Sequence, residues 1–199
     1  DVGAGVDVTG AITGTTDATI HGQTVGRGGG GILYNVALGQ STFNSNTTGQ
    51  FQTAVGSAAA QQLTTGSHNV ALGHAALNNA TTGSHNTALG TAAIRNANGG
   101  HNVGIGSDAC KGASGSTANY NIGIGGSSLL SFTTGGANVA IGYASLDANT
   151  TGANNIGIGY NALTASTTAD NNTGIGYNVL ASNTTGTNNV AVGAYALDA

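Results

Sequence analysis

Aliphatic side chains return along most of this chain in pairs, separated by one small residue, closed by Gly and preceded by an amide. The units begin at Asn35, Gln52, Asn69, Asn86, Asn102, Asn121, Asn138, Asn155, Asn172 and Asn189. Most steps are 17 residues, with one shorter step before Asn102 and one longer step before Asn121. Counting the amide as place one, places two and four carry Val, Ile, Leu or Thr, as in Val36 and Leu38 or Ile156 and Ile158. Places three and five are Ala or Gly. A period of two with β-branched residues predicts a strand. Its recurrence at fixed length predicts a solenoid, because each unit is one coil that must stack on its neighbours to bury anything. With ~4.8 Å between stacked strands, ten coils make a rod roughly 48 Å long.

Places six to eleven lose the β-branched residues and take up Ala, Leu, Asn, Ser and Tyr, which predicts a short helical turn. Place nine anchors it, as in Phe43, Leu77, Ile94, Leu129, Leu146, Leu163, Leu180 and Leu197, with Ala60 and Cys110 smaller. These side chains are expected to close over the place-four aliphatics as the interior. A Thr-Thr-Gly return, starting at Thr47, Thr64, Thr81, Thr133, Thr150 and Thr184, reads as a turn. The small residues of places three and five then form a bare face that a second chain can approach closely, which predicts a homo-oligomer. The recurring place-five glycines are Gly39, Gly56, Gly73, Gly90, Gly106, Gly125, Gly142, Gly159, Gly176 and Gly193.

Residues 1–34 do not follow the period. Stretches 6–14 and 18–25 alternate β-formers with small polar residues, which predicts short strands, and the Gly run from Gly28 to Gly31 reads as a hinge. The expected organisation is a β-structured stalk and Gly-rich hinge over 1–34, then a solenoid of ten repeats over 35–199, the last truncated. The chain opens without Met and stops two residues past the Leu of its last unit, so it is expected to be a piece of something longer.

Composition narrows the partners. Arg27, Arg95 and Lys111 are the only basic side chains, too few for a surface that neutralises nucleic acid. No run of about 18 apolar residues predicts membrane insertion. Cys110 is the sole cysteine, so one chain holds neither a disulfide nor a thiolate metal cluster.

The unit from Asn138 through Val139, Ala140, Ile141 and Gly142 to Gly152, and the unit from Asn189 to Leu197, resemble the repeats of bacteriophage tail fibres and tail spikes. The opening segment, Asp7 to Gly14 followed by Gly22 to Gly28, resembles the trimeric β-structured stalk that precedes such repeats. The Asn, small, aliphatic, Gly signature is also similar to that of trimeric autotransporter adhesin heads, whose coils are usually shorter. Both resemblances imply a homotrimer. The first implies a structural shaft in the virion tail fibre, with other tail proteins as partners and the host surface, glycan or protein, within reach. The second implies a head on the bacterial cell surface. Phage fibres of this type often end in a self-cleaving chaperone domain, and none is visible here.

Candidate chemistry is sparse. Some tail spikes cut host glycans with two carboxyl groups roughly 5 to 9.5 Å apart. This chain has no Glu, and Asp108, Asp147, Asp170 and Asp198 fall on different coils, so no enzyme and no cofactor is expected. His68, His85 and His101 each precede the next coil's amide and should form a column, read as a polar edge ladder continued by Tyr120; around a trimer axis it offers imidazole to a metal. Tyr143, Tyr160 and Tyr177 share place six, an aromatic stripe read as packing between coils or as a surface for sugar or protein. The Thr-Thr array also suggests an ice-binding face, against which its interruption and its following Gly both count.

Overall fold

The computed structural model describes residues 23–28 and 32–198, together with the backbone of strand β1 (Ala18–Ile20). The stalk-like segment 6–14 and most of the expected Gly hinge lie outside the described residues. A hairpin joins β1 to β2 (Gln23–Gly26), and β2 pairs antiparallel with β3 (Val36–Gly39), Val25 lying opposite Leu38. From β3 onward the sheet is parallel. Its strands are β4 (Thr53–Val55), β5 (Val70–Leu72), β6 (Thr87–Leu89), β7 (Val103–Ile105), β8 (Ile122–Ile124), β9 (Val139–Ile141), β10 (Ile156–Ile158), β11 (Thr173–Ile175) and β12 (Val190–Val192). They stack in chain order, each paired only with the coil before and after it. The molecule is therefore mainly β, a parallel solenoid with one coil per repeat. Register follows the repeat even across the irregular steps, as Val103 opposite Ile122 demonstrates.

The turns are not helical. No helix occurs among the described residues, and places seven and nine both adopt left-handed backbone, as in Ala75 (φ 55°) and Leu77 (φ 52°). Helix propensity is a weak prior, and here pairing between coils overrides it. The Leu77 N–H donates to the Ala93 carbonyl at 3.0 Å and the Ala75 N–H to the Ser57 carbonyl at 3.0 Å, so even the turns bond along the stack. A helical turn would direct those groups within its own coil.

Which face of the strand is the interior is the second correction. Place three is buried and place two is not: Ala37 is 2% exposed beside Val36 at 55%. The aliphatic residues of places two and four face outward, and the small residues of place three face into the coil. The cause is space. Place nine fills the interior, so a Cβ at Gly104 would lie 2.7 Å from Ile94 Cγ1, and one at Gly123 would lie 2.5 Å from Cys110 Sγ. The bare residues therefore admit the chain's own place-nine side chains, not another chain.

Place five is bare for a related reason. Gly56 has φ +131°, and a Cβ there would sit 2.5 Å from the Gly73 carbonyl oxygen of the next coil. A left-handed turn and a close backbone neighbour together require Gly.

Two ladders of hydrogen bonds run through the stack. The place-one amides from Asn35 to Asn172 are buried, and all of these but Gln52 take a bond from the next coil's backbone: Asn138 N–H donates to Asn121 Oδ1 at 3.0 Å, and Asn155 N–H to Asn138 Oδ1 at 2.9 Å. Their side-chain NH₂ groups donate to the carbonyl that closes the coil, as Asn138 does to Gly152 at 2.8 Å. Burying an amide is costly unless each group is paired, and this arrangement pairs both ends. The first Thr of the return donates its hydroxyl to the next coil's Thr carbonyl, Thr64 to Thr81 at 2.9 Å and Thr133 to Thr150 at 3.0 Å.

Candidate functional site

Each parallel strand begins just after a left-handed residue, here termed its leading residue, and ends at the place-five Gly. Left-handed backbone at the leading position is uniform, from Tyr34 (φ 70°) through His68 (φ 59°) to Asn188 (φ 59°). Such a corner turns the chain from the return segment into the strand and leaves the leading side chain at the margin of the sheet. Six leading residues in succession are rings: Tyr34, Phe51, His68, His85, His101 and Tyr120. They form one continuous stack. Centroid separations are 5.0 Å for Tyr34 and Phe51, 5.1 Å for Phe51 and His68, 4.7 Å for each imidazole pair, and 5.0 Å for His101 and Tyr120. The solenoid rise sets this spacing, which matches the distance between stacked strands of about 4.8 Å.

The expected histidine column is present, and it is part of a longer ladder. Tyr34 and Phe51 extend it. Both are visible in the sequence once the residue before each amide is aligned, although Phe51 lies outside the polar theme that drew attention to the histidines. Successive imidazoles are nearly parallel, with 6° between ring planes. Within one chain, parallel rings one coil apart do not converge on one ion. Among the described residues, no group of three or more His, Cys, Asp or Glu side chains is placed to hold a metal.

A second ladder stands at the opposite end of the strands. Tyr143, Tyr160 and Tyr177 follow the place-five Gly of β9, β10 and β11 and stack at 5.4 Å, and Tyr195, one place further along its coil, closes the ladder edge-on to Tyr177 at 5.3 Å. The charge of the neighbouring Tyr177 phenol when ionised, with smaller contributions from burial, a hydrogen bond with Tyr177 and the charge of Asp198, raises the Tyr195 phenol from its usual value. Within the ladder both faces of Tyr160 are covered by its neighbours. Sugar stacking on a ring face is thereby closed to Tyr160, which offers its edge and hydroxyl group, whereas the outer face of Tyr143 stands over Gly126.

Between the two ladders lie the outward residues of places two and four. Val36, Leu38, Ile105, Ile156, Ile175, Val190 and Val192 are exposed, and their counterparts in the other coils are half-buried. No Lys, Arg, Asp or Glu interrupts this face over β3 to β12. The charged side chains of the coils stand elsewhere, Arg95, Lys111, Asp147 and Asp198 at place ten, Asp108 at place seven and Asp170 at place sixteen. The chain has nine Phe and Tyr residues, and only Phe43 and Phe132 are in the core. The other seven are all in the two ladders.

Three of the coils' aspartates tie coils together, and Asp108 pairs within its own coil. Asp147 accepts the Thr164 hydroxyl at 2.6 Å, Asp170 accepts the Ala153 N–H at 2.7 Å, Asp198 accepts the Ser182 hydroxyl at 3.2 Å, and Asp108 pairs with Lys111 at 3.0 Å. Cys110 is sealed inside, its thiol pushed up to about 12 by burial, with a backbone hydrogen bond from Gly123 opposing the rise. The depressions along Asn44, Gln61 and Thr81 and along Asn183, Thr185 and Leu197 are shallow, and neither gathers acids or bases. Comparison with protein-family models, with curated proteins and with solved structures returns no match.

Proposed function

We propose that this chain is a non-enzymatic shaft segment of a homotrimeric bacteriophage tail fibre or spike, spacing a tip from the virion and standing beside other tail proteins at the host surface. The observation that carries this reading is the uncharged aliphatic face along ten stacked strands. A strip of ten strands, from leading residue to place six, covers roughly 900 Å² at ~4.8 Å per coil and ~3.3 Å per residue. The rows of places two and four are its apolar centre, and a stable interface takes about 800 Å² from each partner. The likeness of the repeats to tail fibres supplies the biological setting.

The strand signature shared with trimeric adhesin heads supports a second reading, a head on the bacterial cell surface. Light scattering coupled to size exclusion tests the assembly: three chains of 19.0 kDa are expected per particle. A single-chain mass at micromolar concentration, with β-sheet circular dichroism intact, overturns it. Antibody labelling of virions against bacterial surfaces separates the two settings.

A further inference from the structure

The two ring ladders do not overlap at random. Along β3 to β8 the leading residues are rings, and the place-six residues at the other end of those strands are Gln40, Ser57, His74, Thr91, Ser107 and Gly126. At β9 the arrangement reverses. The leading residues become Ala137, Asn154, Asn171 and Asn188, and the rings move to Tyr143, Tyr160 and Tyr177 at place six. The exchange occurs between adjacent coils: Tyr120 and Gly126 flank β8, whereas Ala137 and Tyr143 flank β9. Two coils depart from it. The strand β5 carries His68 and His74 at its two ends, and at β12 the ring is Tyr195, one residue past place six.

Nothing within one coil requires this balance. The two ends of a strand lie about 20 Å apart at ~3.3 Å per residue, too far for one ring to exclude another. Each ladder is stabilised along its own column, so packing alone would let either continue. At Gly126 a Cβ would meet the Tyr143 ring at 3.4 Å, an ordinary contact, so the Tyr ladder had room to extend one coil further.

We infer that the occupant of the aliphatic face is a second copy of this chain, parallel and in register. The leading end of each strand then lies against the trailing end of the same strand in the neighbour. This rests on the homo-oligomer reading and specifies its geometry. A rotation axis along the rod brings leading ends to trailing ends at every joint, so a ring in one chain faces the small or polar residue of the other. Nearly every coil then contributes one ring to each joint. An end-for-end arrangement would instead join leading ends to leading ends. It sets Tyr120 against His101 and Gly126 against Ser107 at its centre, and His74 against Tyr160 further out. Its other leading-end pairs still set a ring against Asn or Ala, so the central coils are where the two arrangements part. The absence of charge on the face agrees with a protein joint, whose centre is depleted of charged residues.

Two measurements on the intact chain test the register. In the Tyr120→Cys/Gly126→Cys variant, the two thiols of one chain lie far beyond the ~7 Å Cα limit for a disulfide. Mild oxidation is expected to link chains covalently on a non-reducing gel, with neither single variant doing so. The second measurement follows association by sedimentation, with circular dichroism confirming the fold. Gly126→Tyr extends the chain's own Tyr ladder but opposes Tyr120 of the neighbour, and is expected to weaken association at least about ten-fold. Tyr120→Ala/Gly126→Tyr moves the exchange one coil earlier and is expected to return association to within about three-fold of the parent. An oligomeric parent whose double-Cys variant fails to cross-link, or whose Gly126→Tyr variant associates unchanged, overturns the register and leaves the homo-oligomer standing. A monomeric parent overturns both.

Discussion

Gln52 is the one departure from Asn at place one, and its extra methylene displaces the ladder. It accepts a bond from the Asn69 side-chain amide at 3.3 Å, where an Asn takes one from the next backbone, and its own Nε2 is buried without a partner. Gln52→Asn is expected to raise stability by about 1 kcal/mol, read as a higher urea midpoint at unchanged slope. Cys110 yields a prediction in pH. Its thiol is raised by burial from 9.0 to about 12, so above pH 9 the unfolded chain releases this proton while the folded chain retains it. Stability from this group is complete below that point and falls by about 1.4 kcal/mol per pH unit up to the folded value. Alkaline denaturation of the parent against Cys110→Ala isolates this contribution, and a constant difference between them across pH 9 to 12 would contradict it.

At the scale of the element, each strand is three or four residues held by its neighbours above and below, so what ends it matters as much as what forms it. The place-five Gly turns the chain while letting the next backbone approach. Gly90 and Gly193 separate these two demands. Both are left-handed, at φ +131° and +123°, but a Cβ at Gly90 would lie 2.5 Å from the Gly106 carbonyl oxygen, whereas nothing lies within 4 Å at Gly193. Gly90→Ala is expected to cost about 3 kcal/mol or more, and Gly193→Ala about 1 kcal/mol, the backbone term alone. Equal losses in thermal unfolding would mean that the close approach adds nothing.

The whole molecule is a one-dimensional stack, and its register is carried by the repeat. Removing residues 155–171 deletes one complete coil, brings Asn172 under Asn138 and leaves Tyr177 to stack on Tyr143. The shortened chain is expected to fold with unchanged β-sheet circular dichroism and a melting temperature lower by a few degrees, because stability in such stacks is roughly a sum over coils and their joints. Removing only residues 155–162 takes out β10 and leaves a surplus of about half a coil between Asn138 and Asn172 that must loop out of the stack, and is expected to lower the melting temperature further than the whole-coil deletion. A half-coil deletion that melts like the full one would show that the surplus costs nothing.

The sequence alone determined the period, the strands, their parallel stacking and the in-register amides, since each follows from spacing that survives without knowledge of the fold. It also marked the columns at His68, His85 and His101 and at Tyr143, Tyr160 and Tyr177, because residues one repeat apart must become neighbours. What it left open was which face of the strand points inward. A period of two makes one face aliphatic and the other small, and either assignment satisfies the alternation. Only the tertiary structure decided between them, because the coil is narrow and the place-nine side chains already occupy its centre. The same decision turned the turns from helical to left-handed, since their backbone groups bond to adjacent coils, and it moved the aliphatic residues from the supposed core to the surface.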